Sequence, residues 1–193
     1  MSRAPLALAR VLRRVLFAVF VGVSLAHASH AAPAPENLLN KKAPAFTLTD
    51  LSGQSLTLAR FRGKVVLLNF WATWCASCQV EMPVFAAWQQ QYGPQGFAII
   101  GISMDDGAAP ARRLVSRLKL NYPVAMGDER LGAHYGGVLG LPLTFLIDRN
   151  GVVRARFQGE TDLKLIERQV AALLAQPGGT GNAHKQLRHN KEK

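Results

Sequence analysis

Cys75 and Cys78 are the two cysteines of a 193-residue chain, separated by Ala76 and Ser77. Ahead of them runs an apolar stretch, Val65 to Leu68, continued by Asn69-Phe70-Trp71. Behind them, from Cys75 to Tyr92, the pattern is helical. The pair is thus expected where a strand ends and a helix begins. Unpaired N–H groups and the positive end of the helix dipole there stabilise a thiolate and lower the first thiol's pKa. Three positions are almost one helical turn, so the second sulfur lies on the same face within bonding reach. Cys75, nearer the helix end and solvent, is the expected nucleophile, and Cys78 resolves the mixed disulfide. Half of a zinc site would need a second ligand pair at suitable spacing, and His134 stands alone. A purely structural bridge would close only a small ring, with little loop entropy to gain. Redox chemistry through the Cys75–Cys78 disulfide, without metal or other cofactor, is the expectation. A Cu(I)-binding chaperone using Cys75, Cys78 and His134 is the alternative from another class, since soft thiolates suit Cu(I).

The elements that must position this pair can be read around it. Ala45–Thr49 and Gln54–Leu58 alternate apolar with polar about Asp50-Leu51-Ser52-Gly53, which predicts a hairpin. Lys64–Ala72 and Phe97–Ser103 read as strands buried on both faces. The Cys75–Tyr92 helix is expected to pack Val80, Val84, Ala87 and Trp88, with Pro83 kinking it or starting its second half. A helix over Pro110–Leu120, a strand over Pro123–Met126 and a helical turn over Glu129–Tyr135 follow. Strands at Leu143–Ile147 and Val152–Phe157 flank the turn Asp148-Arg149-Asn150-Gly151. Thr161 is the expected cap of a last helix reaching Ala175, packing Leu163, Ile166, Val170 and Leu173. The fold class is α/β: a three-layer sandwich with a mixed β-sheet, an N-terminal β-hairpin and a central strand-helix insertion. Arg112, Arg113, Arg117 and Lys119 read as the solvated face of a helix.

Trp71-Ala-Thr-Trp-Cys-Ala-Ser-Cys78 resembles the active-site segment of the thioredoxin superfamily. Within it, the chain is similar to the secreted TlpA/ResA/DsbE-like thiol-disulfide oxidoreductases, from about Ala43 to Ala175. The resemblance includes Phe61-Arg-Gly-Lys-Val-Val-Leu-Leu-Asn-Phe-Trp71, Glu81-Met-Pro83 and Gly140-Leu-Pro-Leu-Thr-Phe-Leu-Ile-Asp148. It implies a cis peptide at Pro142, where spacing alone would favour trans. It also implies that the backbone of Leu141 pairs with an extended substrate segment. Glu81 matches a glutamate placed beside the active site, where burial would raise its pKa and let it exchange protons with the thiols. The alternative for Glu81 is a solvent-facing first-turn acid. Trp74 is the candidate for an apolar docking surface, and Trp71 for core packing. Asn69 stands where ordinary thioredoxins carry a buried aspartate. Ser77 replaces a proline frequent in relatives, so a redox potential cannot be carried over. A peroxiredoxin-type peroxidase is the second alternative, but Ala72 and Leu68 stand where that family wants Thr or Ser and Pro. The implied partners are disulfide-bearing client proteins, such as apocytochromes c or copper chaperones, and a membrane-bound thiol electron donor.

Charge and composition set the address. Apolar residues make up 49% and charged residues 18%, which excludes both intrinsic disorder and a polytopic membrane protein. The net charge of +11 sits mostly in the two ends, so the body offers no nucleic-acid-binding face. Four arginines, an apolar run from Val15 to Ala26 and Ala26-His27-Ala28 form the three parts of a secretory signal. Expected boundaries are a signal at 1–28, an Ala/Pro-rich linker at 29–42, a thioredoxin-like domain at 43–176 and a basic tail at 177–193. A periplasmic monomer is the expectation, with membrane contact only through an uncleaved signal.

Overall fold

Leucines flanked by Thr or Ser form two short strands, and a single carboxylate folds the turn between them. The Asp50 side chain accepts the backbone N–H of Ser52 at 2.9 Å and of Gln54 at 2.8 Å. The resulting hairpin pairs β1 (Thr47–Thr49) with β2 (Ser55–Thr57) as a separate two-stranded sheet. The computed structural model describes residues 37–177. The expected signal and most of the basic tail lie outside them. Residues 37–42, assigned by sequence to the linker, are packed onto the domain. Leu38 is buried, Asn40 N–H bonds to the Val153 carbonyl at 2.8 Å, and Val153 N–H bonds to Lys41 at 2.9 Å.

The main sheet has five strands. β3 (Val65–Trp71) and β4 (Phe97–Ser103) are buried at every position, as their unbroken apolar runs require. Between them runs helix α1 (Ala76–Tyr92). Helix α2 (Ala108–Arg117), strand β5 (Val124–Met126) and the short helix α3 (Glu129–His134) form the predicted insertion. The chain ends with β6 (Leu143–Ile147), β7 (Val153–Gln158) and helix α4 (Leu163–Leu174). The strand order is β5-β4-β3-β6-β7, with β3–β4 and β4–β5 parallel and the other two pairs antiparallel. One face, with Val65, Leu67 and Ile99, is covered by Met82 and Phe85 of α1, Leu114 of α2 and Val170 of α4. The opposite face, with Leu68, Phe70 and Phe145, is covered by Leu38, Leu56 of the hairpin and Leu131 of α3. This is the three-layer α/β arrangement with a mixed sheet.

Three local expectations are corrected. The buried stripe of α1 is Cys78, Glu81, Met82, Phe85 and Trp88, whereas Val80 is 68% exposed and Ala87 faces solvent. The stripe is set by the faces of the cysteines, and an acid occupies a place that hydropathy would not give it. Pro83 does not start a second helical segment; it is an exposed residue within one continuous helix. The cap of α4 is Asp162, accepting Lys164 N–H at 2.9 Å, while Thr161 donates to the Gly159 carbonyl.

Gly101 lies in β4 between Asn69 of β3 and Val124 of β5. A Cβ there would stand 3.0 Å from Trp71 Nε1, 3.1 Å from Val124 Cγ2 and 3.3 Å from Tyr122 Cε2. All three neighbours are buried, so none can swing into solvent. Gly101→Ala is expected to cost about 1–3 kcal/mol through overpacking, read from urea unfolding of the two proteins.

Candidate active site

Strand β3 ends at Trp71 and helix α1 begins at Ala76, so four residues deliver the first cysteine to the helix end. Cys75 is the N-cap. Its backbone is extended, with φ −89° and ψ 105°, and its sulfur accepts the Cys78 N–H at 3.2 Å. A sulfur therefore fills the role that an oxygen of Ser or Asp usually has at a helix start. Ser77 Oγ lies 3.6 Å from Cys75 Sγ. The two sulfurs are joined in a disulfide, with Cα atoms 5.3 Å apart. Cys75 is 6% exposed and Cys78 1%, so the order of accessibility is the expected one, though both are buried.

Glu81 follows Cys78 by three residues and shares its buried helical face. Its side chain is 4% exposed, and Oε2 has no hydrogen-bond partner. Burial, and secondarily the negative charge of Glu160, raise its pKa to about 7. The solvent-facing alternative for this residue is therefore wrong. Asn69, at the position of an aspartate in ordinary thioredoxins, donates from Nδ2 to Thr144 Oγ1 at 2.9 Å and cannot titrate.

The Leu141–Pro142 peptide is cis. Register places it: Phe70 pairs with Leu143, so Pro142 lies just past that pair, beside the end of β3 from which the cysteine loop departs. The Pro142 carbonyl accepts Gly159 N–H at 2.8 Å. Leu141 is half-buried and packs against the core cluster that includes both cysteines. Trp71 is fully buried, whereas Trp74, immediately before Cys75, is 72% exposed. His134 is not gathered with the cysteines: among the described residues, no three His, Cys, Asp or Glu side chains converge as a metal site.

Sequence reasoning missed a second layer around the loop. The Asp105 carboxylate is buried and accepts Thr73 N–H at 3.0 Å, Thr73 Oγ–H at 2.6 Å and Ser103 Oγ–H at 2.8 Å. Gln79 Nε2 donates to the Thr73 carbonyl at 2.8 Å, and Arg117 Nη2 donates to Gln79 Oε1 at 2.9 Å. An acid placed just after the buried strand Phe97–Ser103 was the available signal.

The match to the AhpC/TSA family model covers residues 39–156. The chain is 37% identical over 131 residues to the thiol-disulfide oxidoreductase ResA of Bacillus thuringiensis subsp. konkukian, covering 67% of this chain and 75% of that protein. It is 38% identical over 141 residues to the thiol:disulfide interchange protein DsbE of Pseudomonas fluorescens biotype C, covering 72% and 76%. Among solved structures, a thiol:disulfide interchange protein of the thioredoxin family from Chlorobium tepidum aligns with TM-score 0.66 and 27% identity, over 72% of this chain and all of that one. A disulfide between cysteines three positions apart, capping a helix on a thioredoxin-like mixed sheet, together with these relatives defines a thiol-disulfide oxidoreductase. The chain belongs to the AhpC/TSA family, among its ResA/DsbE-like members.

Proposed function

We propose that the protein is a periplasmic reductant of protein disulfides, with Cys75 as the attacking sulfur. The observation that carries the direction is the charge around the pair. The Cys75 sulfur faces neutral donors, the Cys78 N–H and Ser77 Oγ. No Lys, Arg or His lies between Trp74 and Gln79. Besides Cys78, the ionisable group in the buried stripe of α1 is an acid, Glu81. A thiolate held by a helix end alone is modestly stabilised, so the disulfide form is favoured and the dithiol gives up its electrons readily.

In the forward reaction the Cys75 thiolate attacks one sulfur of the client disulfide. The client's other sulfur leaves as a thiolate and takes a proton. Cys78, deprotonated with Glu81 as acceptor, then attacks Cys75 Sγ, closing the Cys75–Cys78 disulfide and releasing the second client thiol. Two electrons pass to the client, and a membrane-bound thiol donor restores the dithiol. The Leu141 backbone beside the cis Pro142, and the exposed Trp74, support docking of an extended client segment there. Apocytochromes c and copper chaperones are the client classes proposed. The signal-like residues 1–28 support export, with a tether ahead of the domain and a basic tail after residue 176. The chemistry needs no cofactor beyond the disulfide, and a monomer suffices.

Equilibration with glutathione and dithiothreitol buffers tests the direction. The expected potential lies below about −180 mV, toward the thioredoxin value of about −270 mV. A value above about −180 mV would make the protein an oxidase or isomerase.

A further inference from the structure

We propose that Thr73 is a positioning residue for Cys75, held by Asp105 on one side and Gln79 on the other so that the Cys75 sulfur stays at the helix N-cap. The inference rests on the reading of Cys75 as the attacking sulfur.

The loop from Ala72 to Cys75 must turn the chain from β3 into α1 while presenting a sulfur to the first helical N–H groups. Every polar group of Thr73 is engaged: N–H and Oγ–H on the Asp105 carboxylate, C=O on Gln79 Nε2. Each partner is itself fixed. Ser103 Oγ donates to Asp105 Oδ2, and Arg117, from α2, donates to Gln79. The loop is thereby tied to the end of β4, to the first turn of α1 and, through Arg117, to a second helix. Cys75 N–H closes the turn on the Ala72 carbonyl at 3.2 Å. Trp74, between the clamped residue and the cysteine, makes no comparable attachment and is largely exposed. Thr73 is thus the last residue before the sulfur whose side chain ties the loop to the rest of the domain.

The consequence is electrostatic. The Cys78 N–H stabilises a Cys75 thiolate only while the sulfur is held near 3.2 Å, and hydrogen bonding to a charged form lowers its pKa. A loop released from Asp105 spends part of its time with that bond broken. The thiol pKa rises, and because the reduced form is less stabilised, the potential falls.

The test compares Thr73→Val, which keeps shape but loses the hydroxyl, with Thr73→Ser, which restores it. Titration of thiolate absorbance in the reduced proteins is expected to show the Cys75 pKa raised by about one unit in Thr73→Val, a tenfold loss of thiolate near neutral pH. Thr73→Ser returns it to the parent value. Gln79→Leu, which breaks the clamp from the more exposed side, is expected to shift it in the same direction if Thr73→Val does not fold. An unchanged Cys75 pKa in a folded variant of either kind, or failure of Ser to restore it, overturns the proposal. Alkylation mapped by mass spectrometry keeps the two readings apart: were Cys78 the faster thiol in the parent protein, the assignment of Cys75 itself would fall.

Discussion

Cys75→Ser is expected to abolish thiol-dependent reduction of a protein disulfide, while Cys78→Ser is expected to stall with the client covalently attached. The asymmetry follows from position. Cys75 is the more accessible residue of the two, and its sulfur accepts the Cys78 N–H at the helix end. Cys78 is almost fully buried one turn further in, placed to attack Cys75 Sγ but not an incoming disulfide. Without Cys78 the mixed disulfide has no internal resolving thiol and waits for an external one. Non-reducing electrophoresis followed by mass spectrometry, with Cys78→Ser expressed in a periplasm, would show adducts through Cys75 and name the clients. Adducts joined through Cys78 in Cys75→Ser, with none in Cys78→Ser, would reverse the assigned roles.

Glu81→Gln is expected to remove a pH dependence of stability from the oxidised protein, in which neither cysteine titrates. The folded protein holds the Glu81 proton up to about pH 7, against an ordinary value of 4.5. The unfolded chain releases it sooner, so stability from this group is greatest below about pH 4.5. It declines as pH rises through the interval and is fully lost above about pH 7. The size is about 3 kcal/mol across that window. Glutamine cannot ionise, so the difference between the two proteins should change by this amount between pH 4 and pH 8, measured by urea unfolding at successive pH values. Parallel stability curves would show that the buried carboxyl is not held neutral. In the reduced protein the same variant should alter the pH profile of thiol alkylation, which titrates as a coupled set.

The chemistry of this protein was legible in its sequence because it depends on local order. A strand, a four-residue turn and a helix carrying cysteines at N-cap and N3 bring two sulfurs together whatever the rest of the chain does. The unbroken apolar runs Val65–Leu68 and Phe97–Ile100 fixed the central strands for the same reason: complete burial leaves no room for alternation. What could not be read locally was decided by packing. Whether Glu81 faced solvent or core turned on the rotation of α1 against the sheet, which an exposed Val80 and a buried Glu81 show was not set by hydropathy. Leu38 docks because the edge of β7 offers the Val153 carbonyl and N–H to Asn40 and Lys41, an opportunity that composition alone reads as a linker. Thr73 and Asp105 are 32 residues apart and meet only because β3 and β4 lie parallel and in register. Local spacing determined that two sulfurs would meet at a helix end; tertiary contacts determined how tightly that end is held and which carboxyl stands beside it, because desolvation and long-range hydrogen bonds exist only once the layers have closed.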